Sequence, residues 1–117
     1  IGQTFKTLVT HLPPQAGAKS PALWGTRGWL QSTFGPAASA IKAEPRNYVF
    51  RYRSPQHFVD MFRGYYGPML KAFEALDDKG RKELARDIIE LIGRCNISGD
   101  ETMVVPGEYL EIVITRR

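Results

Sequence analysis

The chain has 117 residues, 43% apolar and 24% charged, which suits one ordinary globular domain, residues 1–117, and excludes a disordered or collagen-like chain. Its formal charge of +4 and pI of about 9.4 are mild, and the basic residues form no stripe, so a nucleic-acid binder is not expected. No apolar run approaches the roughly 18 residues of a membrane span, no secretory signal is present, and the single Cys95 allows no intramolecular disulfide. The expected home is the cytoplasm, without membrane contact. The chain opens on Ile1 and not on methionine, so a fragment or a processed product is expected.

Residues 1 to 12 place Ile1, Phe5, Leu8 and Leu12 at helical spacing, and Pro13-Pro14 must end that helix. "PPQAGAKSP" reads as a loop. In "ALWGTRGWLQSTFG" Thr26 is placed to cap a short helix carrying Trp29, Leu30 and Phe34, which Gly35-Pro36 stops. Residues 37–46 are small or polar and read at most as an extended lead-in. "NYVFRYRS" alternates, with Tyr48, Phe50 and Tyr52 on one face and Val49, Arg51 and Arg53 on the other. Ser54-Pro55 is a capping hydroxyl followed by proline at the first helical position. Phe58, Val59, Phe62 and one of Tyr65 or Tyr66 then make an apolar face. After the break at Gly67-Pro68 a second helix carries Met69, Leu70, Phe73 and Leu76. Asp77 or Asp78 opens a third, on which Leu84, Ile88, Leu91, Ile92 and Cys95 keep the period and Arg94 suits the negative end of the helix dipole. "YLEIVITRR" is the second clear strand, with Leu110, Ile112 and Ile114 on one face. The fold class is α+β, with about five helices and two main strands near 47–53 and 108–116. Two strands alone make a marginal sheet, and the last one looks built for a sheet interior that the sequence does not supply.

The chemistry-bearing motifs are few. Neither G-x-G-x-x-G nor the phosphate-cradling G-x-x-x-x-G-K-[ST] occurs, and His11, His57 and Cys95 lack the spacing of metal ligands. Cys95, on the apolar stripe, reads as a buried inert thiol. Asn96-Ile97-Ser98 matches a glycosylation acceptor by chance more readily than by design, given no secretory signal. His57, in the first turn of its helix, is either a capping or surface residue or an acid-base group. Tyr65 and Tyr66 either pack one in and one out or line an apolar small-molecule pocket. Trp24 and Trp29 are core residues or a ligand platform. Arg51 and Arg53 are the one compact basic pair beside aromatics, and Glu111 is placed to neutralise one of them across the strands.

Three stretches, "SPALWGT" (20–26), "YVFRYRSPQHFVDMFRGYYGPMLKAFEAL" (48–76) and "VVPGEYLEIVITRR" (104–117), resemble in order and spacing the C-terminal part of bacterial class I S-adenosylmethionine-dependent methyltransferases. The opening "IGQTFKTLVTHLPPQAG" is similar to the segment after that family's fifth core strand. The resemblance implies the last piece of a Rossmann-like sheet, with 47–53 as its sixth strand and 108–116 as its antiparallel seventh, inserted between fifth and sixth. The glycine-rich loop and acidic residue that hold S-adenosylmethionine would lie upstream of Ile1. The parent enzyme then uses that cofactor, while this chain alone is expected to bind none and to be inactive. Ligands in such sheets bind beyond the carboxyl ends of the parallel strands, so the resemblance makes Trp24, His57, Tyr65 and Tyr66 candidates for binding a small organic acceptor, with no catalytic residue assigned. The bare edge of the last strand would recruit a second copy, giving a homodimer. The alternative is a stand-alone, non-enzymatic dimeric domain that binds a small hydrophobic ligand or a protein.

Overall fold

The computed structural model describes residues 2–14 and 16–117. Five α-helices and one two-stranded sheet occur among them: α1 (Gly2–His11), α2 (Arg27–Phe34), β1 (Ala38–Tyr52), α3 (Pro55–Tyr65), α4 (Gly67–Ala75), α5 (Asp78–Cys95) and β2 (Met103–Arg116). Short 3-10 turns cover Pro21–Gly25 and Gly35–Ala37. The α+β class and the five helices are as expected. Ile1, expected on the apolar face of the first helix, lies outside the described residues.

Both strands are longer than their alternation suggested. β1 begins at Ala38, taking in the small and polar stretch 38–46, and β2 begins at Met103. The reason is pairing. Arg117 N donates to the Ala37 carbonyl (3.1 Å), Ser39 Oγ donates to the Thr115 carbonyl (3.2 Å), and Arg46 meets Glu111 (3.2 Å). One number falls as the other rises, so the strands run antiparallel. Residues with weak strand propensity are held extended by the partner strand, a contextual effect that a local reading does not register.

The contacts divide the chain into two compact units, Ile1–Gln15 with Val49–Pro106, and Ala16–Tyr48 with Gly107–Arg117. Both strands change unit partway along. The first unit has a true core: Leu8, Phe58, Val59, Met69, Phe73, Leu84, Ile88, Ile92 and Met103 are buried. Phe50 and Tyr52 pack against it, as the alternation of β1 requires. An aromatic ladder runs through it, with Tyr52 edge-on to Phe58 (5.2 Å), Phe58 stacked on Phe62 (4.1 Å), Phe62 on Tyr66 (5.1 Å) and Tyr66 edge-on to Phe5 (6.3 Å).

Helix starts in this unit follow the chemistry of their caps. The Ser54 hydroxyl accepts from His57 N (3.0 Å) with Pro55 at the first helical position, and the Asp77 carboxylate accepts from Gly80 N (2.8 Å). Gly67-Pro68 separates α3 from α4, as expected. Replacing Ser54 with alanine should cost about 1 kcal/mol of stability, read from the midpoint of urea unfolding. An unchanged midpoint would mean that the cap is silent.

The second unit is thin. Leu30, Ala38 and Ala43 are its buried apolar residues, while Trp24, Tyr109, Val113 and Ile114 stand exposed. Thr26 occupies the N-cap position of α2 without capping it: its hydroxyl donates back to the Leu23 carbonyl (2.7 Å). The preceding 3-10 turn offers that carbonyl, and the hydroxyl takes it. Arg27 donates to the Ala43 carbonyl (2.6 Å), tying the start of α2 to β1.

Candidate functional site

Two side chains close the Ser54 corner. While Ser54 takes the His57 amide, the His57 ring nitrogen Nδ1 accepts from Arg53 N (3.4 Å), and the ring lies edge-on to Tyr52 at 5.6 Å. In a capping box the third helical side chain accepts from the N-cap amide; here the imidazole reaches one residue further back, to Arg53 N. His57 therefore acts here as a capping residue, one of the two roles its position suggested.

Tyr65 and Tyr66 part company. Tyr66 packs against the core through Phe5 and Phe62, whereas Tyr65 is 83% exposed. This is the one-in, one-out arrangement, with Tyr65 facing solvent. Trp24 belongs to the second unit, where it forms a trio with Trp29 (4.8 Å) and Phe34 (5.7 Å) and is 53% exposed. It is a surface member of an aromatic cluster and not a core residue.

Two further readings are corrected. Cys95 is exposed, because the last turn of α5 has passed beyond the core that holds Leu84, Ile88 and Ile92. Glu111 pairs with Arg46 and not with Arg51 or Arg53, since the antiparallel register brings it beside the earlier part of β1. The apparent glycosylation acceptor is a structural turn. Asn96 Nδ2 donates to the Thr102 carbonyl (2.8 Å), and its Oδ1 accepts from Val104 N (2.7 Å) and Ser98 N (3.2 Å).

Within that turn Asp100 Oδ1 accepts from the Ser98 hydroxyl (2.6 Å), the Thr102 hydroxyl (2.5 Å) and Thr102 N (2.8 Å). These three donors, the Ser98 hydroxyl foremost, favour the charged form and hold the carboxyl down from 3.8 to about 2. Because the folded value lies below the unfolded one, the stabilisation is fully present above pH 3.8 and is lost as pH falls towards about 2. Asp100→Asn should flatten the fall in unfolding midpoint across that window. An identical acid profile in the variant would remove Asp100 as a contributor.

A contact that nothing in the sequence announced joins α1 to α5: His11 Nε2 lies 2.8 Å from Asp87 Oδ2. That bond, followed by those from Arg86, holds the Asp87 carboxyl below its ordinary range. No group of three metal-ligating side chains occurs among the described residues, and no helix among them is long and apolar enough to cross a membrane.

The first unit also carries an open groove of about 480 Å³ where α3, α4 and α5 meet. α3 contributes Asp60, Arg63 and Gly64, α4 contributes Leu70, Phe73 and Glu74, and α5 contributes Arg81. The four candidates Trp24, His57, Tyr65 and Tyr66 lie outside its lining. A signal for it existed in the sequence, since 60, 63, 64 and 70, 73, 74 repeat one helical spacing that puts each trio on a single face. No protein-family profile matches this chain, and no curated protein is significantly similar to it.

Proposed function

We propose that this chain is the C-terminal, substrate-capping part of an S-adenosylmethionine-dependent methyltransferase acting on a small organic acceptor, and that it is inactive by itself. The strand arrangement carries the reading. β1 and β2 are separated by three helices and still pair antiparallel, which is the relation the resemblance implies for the sixth and seventh strands of a Rossmann-like sheet. The ribbon gives further support. A sheet of two long strands is marginal by itself, its second-unit portion buries little, and Tyr109, Val113 and Ile114 remain exposed. A neighbouring fifth strand and its helices would cover such side chains.

In this reading Trp24, His57, Tyr65 and Tyr66 remain the acceptor-binding candidates: in the first unit Tyr65 is exposed while His57 and Tyr66 hold the corner behind it, and in the second unit Trp24 is exposed. The cofactor residues belong to the upstream half. Separated from that half, β2 offers an open edge to a second copy of itself, and the chain forms a homodimer.

The coding sequence upstream of Ile1 tests the proposal. It should specify a parallel sheet with a glycine-rich loop after its first strand; an immediate start codon would leave the stand-alone dimeric domain as the better account. Calorimetric titration of the 117-residue chain with S-adenosylmethionine should give no binding heat, and a firm one-to-one isotherm would overturn the assignment of the cofactor site to another segment. Light scattering at micromolar concentration should report a dimer. A stable monomer would remove the edge-pairing claim alone.

A further inference from the structure

The groove on α3, α4 and α5 carries an exposed cation, Arg63, that no carboxylate of the described residues pairs with. The Arg63 guanidinium sits 5.0 Å from the centroid of the Phe73 ring. Among the described residues no carboxylate lies within 4.0 Å of its nitrogens. Asp60 is three residues earlier on the same helix, where an ion pair with Arg63 would be natural. It accepts instead from Gln56 Nε2 at 2.8 Å. Glu74 is engaged by Lys71 Nζ at 2.7 Å. The two acids of the groove therefore have partners, and Arg63 keeps its N–H fork.

Arg81 is held in place from below. Its Nε donates to the Phe73 carbonyl (2.7 Å) and its Nη1 to Asp78 (3.4 Å). Phe73 thus lies between two guanidinium groups, one over its ring and one on its carbonyl, and Arg81 Nη2 makes no hydrogen bond to a described residue. Gly64 opens the wall beside Arg63. A Cβ built there would meet nothing within 4 Å, so packing does not require glycine, although glycine weakens a helix relative to alanine. Leu70 supplies an apolar, half-buried surface. The groove, about 480 Å³ and open to solvent, has room for a small molecule lying along it.

We infer that this groove binds a small organic carboxylate, with the carboxylate on Arg63 and the apolar body along Leu70 and the open face at Gly64. A planar fork of donors matches a carboxylate in two parallel hydrogen bonds. Asp60 and Glu74 set the charge. Asp60 and Glu74 offset Arg63 and Arg81, so the groove offers no net positive charge to a doubly charged phosphate, and the carboxylate is held by the Arg63 fork alone. All of these residues lie in the first unit, and the inference stands whether or not the methyltransferase reading does.

Phenylacetate is a suitable probe, followed by proton–nitrogen spectra that include the arginine Nε–Hε signals of the 117-residue chain. Saturable, millimolar-range shifts are expected at Arg63 and Arg81, with none from 2-phenylethanol, which has the ring but no charge. Arg63→Gln should weaken binding about tenfold or more, the size of a lost charge-assisted pair. Gly64→Leu should fill the groove and abolish binding while circular dichroism stays that of the parent chain. No saturable shift, equal shifts from 2-phenylethanol, tighter binding of inorganic phosphate, or undiminished binding by Arg63→Gln would each overturn the inference. Should Gly64→Leu fail to fold, the Arg63→Gln comparison still decides.

Discussion

Replacing Leu84 with alanine is expected to cost about 3–5 kcal/mol. Leu84 has no exposed surface, nor do Met69 and Ile88. It stands two turns into α5 on the stripe that Ile88 and Ile92 continue, facing a core built from α1, α3 and α4. Removing its side chain loses both the burial of those carbons and the contacts lining the space they leave, because helices held by caps at Ser54 and Asp77 cannot close in freely. Lys82, two residues earlier, is exposed, so Lys82→Ala should stay within about 0.5 kcal/mol. Guanidinium unfolding followed by circular dichroism measures both. A loss under about 1 kcal/mol for Leu84→Ala would mean that this core relaxes far more than close packing allows.

Asn96→Ala is the second. The side chain makes three hydrogen bonds from a half-buried position, accepting the amides of Ser98 and Val104 and donating to the Thr102 carbonyl. With Ile97 N donating to the Val104 carbonyl (2.9 Å), it closes both polar groups of Val104 at the start of β2. The variant takes the Asn96 side chain away from the Ser98 and Val104 amides and the Thr102 carbonyl, and the expected loss is about 2–3 kcal/mol. Hydrogen exchange at the Val104 amide should accelerate more than at the buried helical amides of α5. Asn96→Asp retains the acceptor and loses the donation to Thr102, so its cost should be smaller. Equal costs for the two variants would show that the amides of Ser98 and Val104 find other acceptors.

The helices were legible because their signals are local. Ser54-Pro55, Gly67-Pro68 and Asp77 act within one turn of where they stand, and the apolar period of α5 needs only the spacing of its own residues. The limits of β1 and β2 were not legible, since Ala38–Arg46 carries little strand preference and is extended by a partner some seventy residues away. Thr26 misled for a related reason: a hydroxyl at an N-cap has two possible uses, and the Leu23 carbonyl beside it took precedence. Cys95 shares the period of the buried stripe, yet the core ends before the helix does.

The candidate site divides in the same way. His57 as a capping residue follows from its distance to Ser54, and one inward and one outward tyrosine follow from adjacent positions on a helix. The groove around Phe73 depends on three helices, and periodicity states which residues share a face but not which faces meet.

By itself the sequence determined the α+β class, about five helices and the Ser54 cap that starts α3, and it narrowed the start of α5 to Asp77 or Asp78, because the helix signals rest on interactions between residues at most four apart. The tertiary structure decided the antiparallel pairing and full length of the strands, the exposure of Cys95, the His11–Asp87 and Arg46–Glu111 pairs, and the unpaired Arg63 over Phe73. Each of these joins or separates residues distant in the chain or on different elements, and only packing sets that geometry.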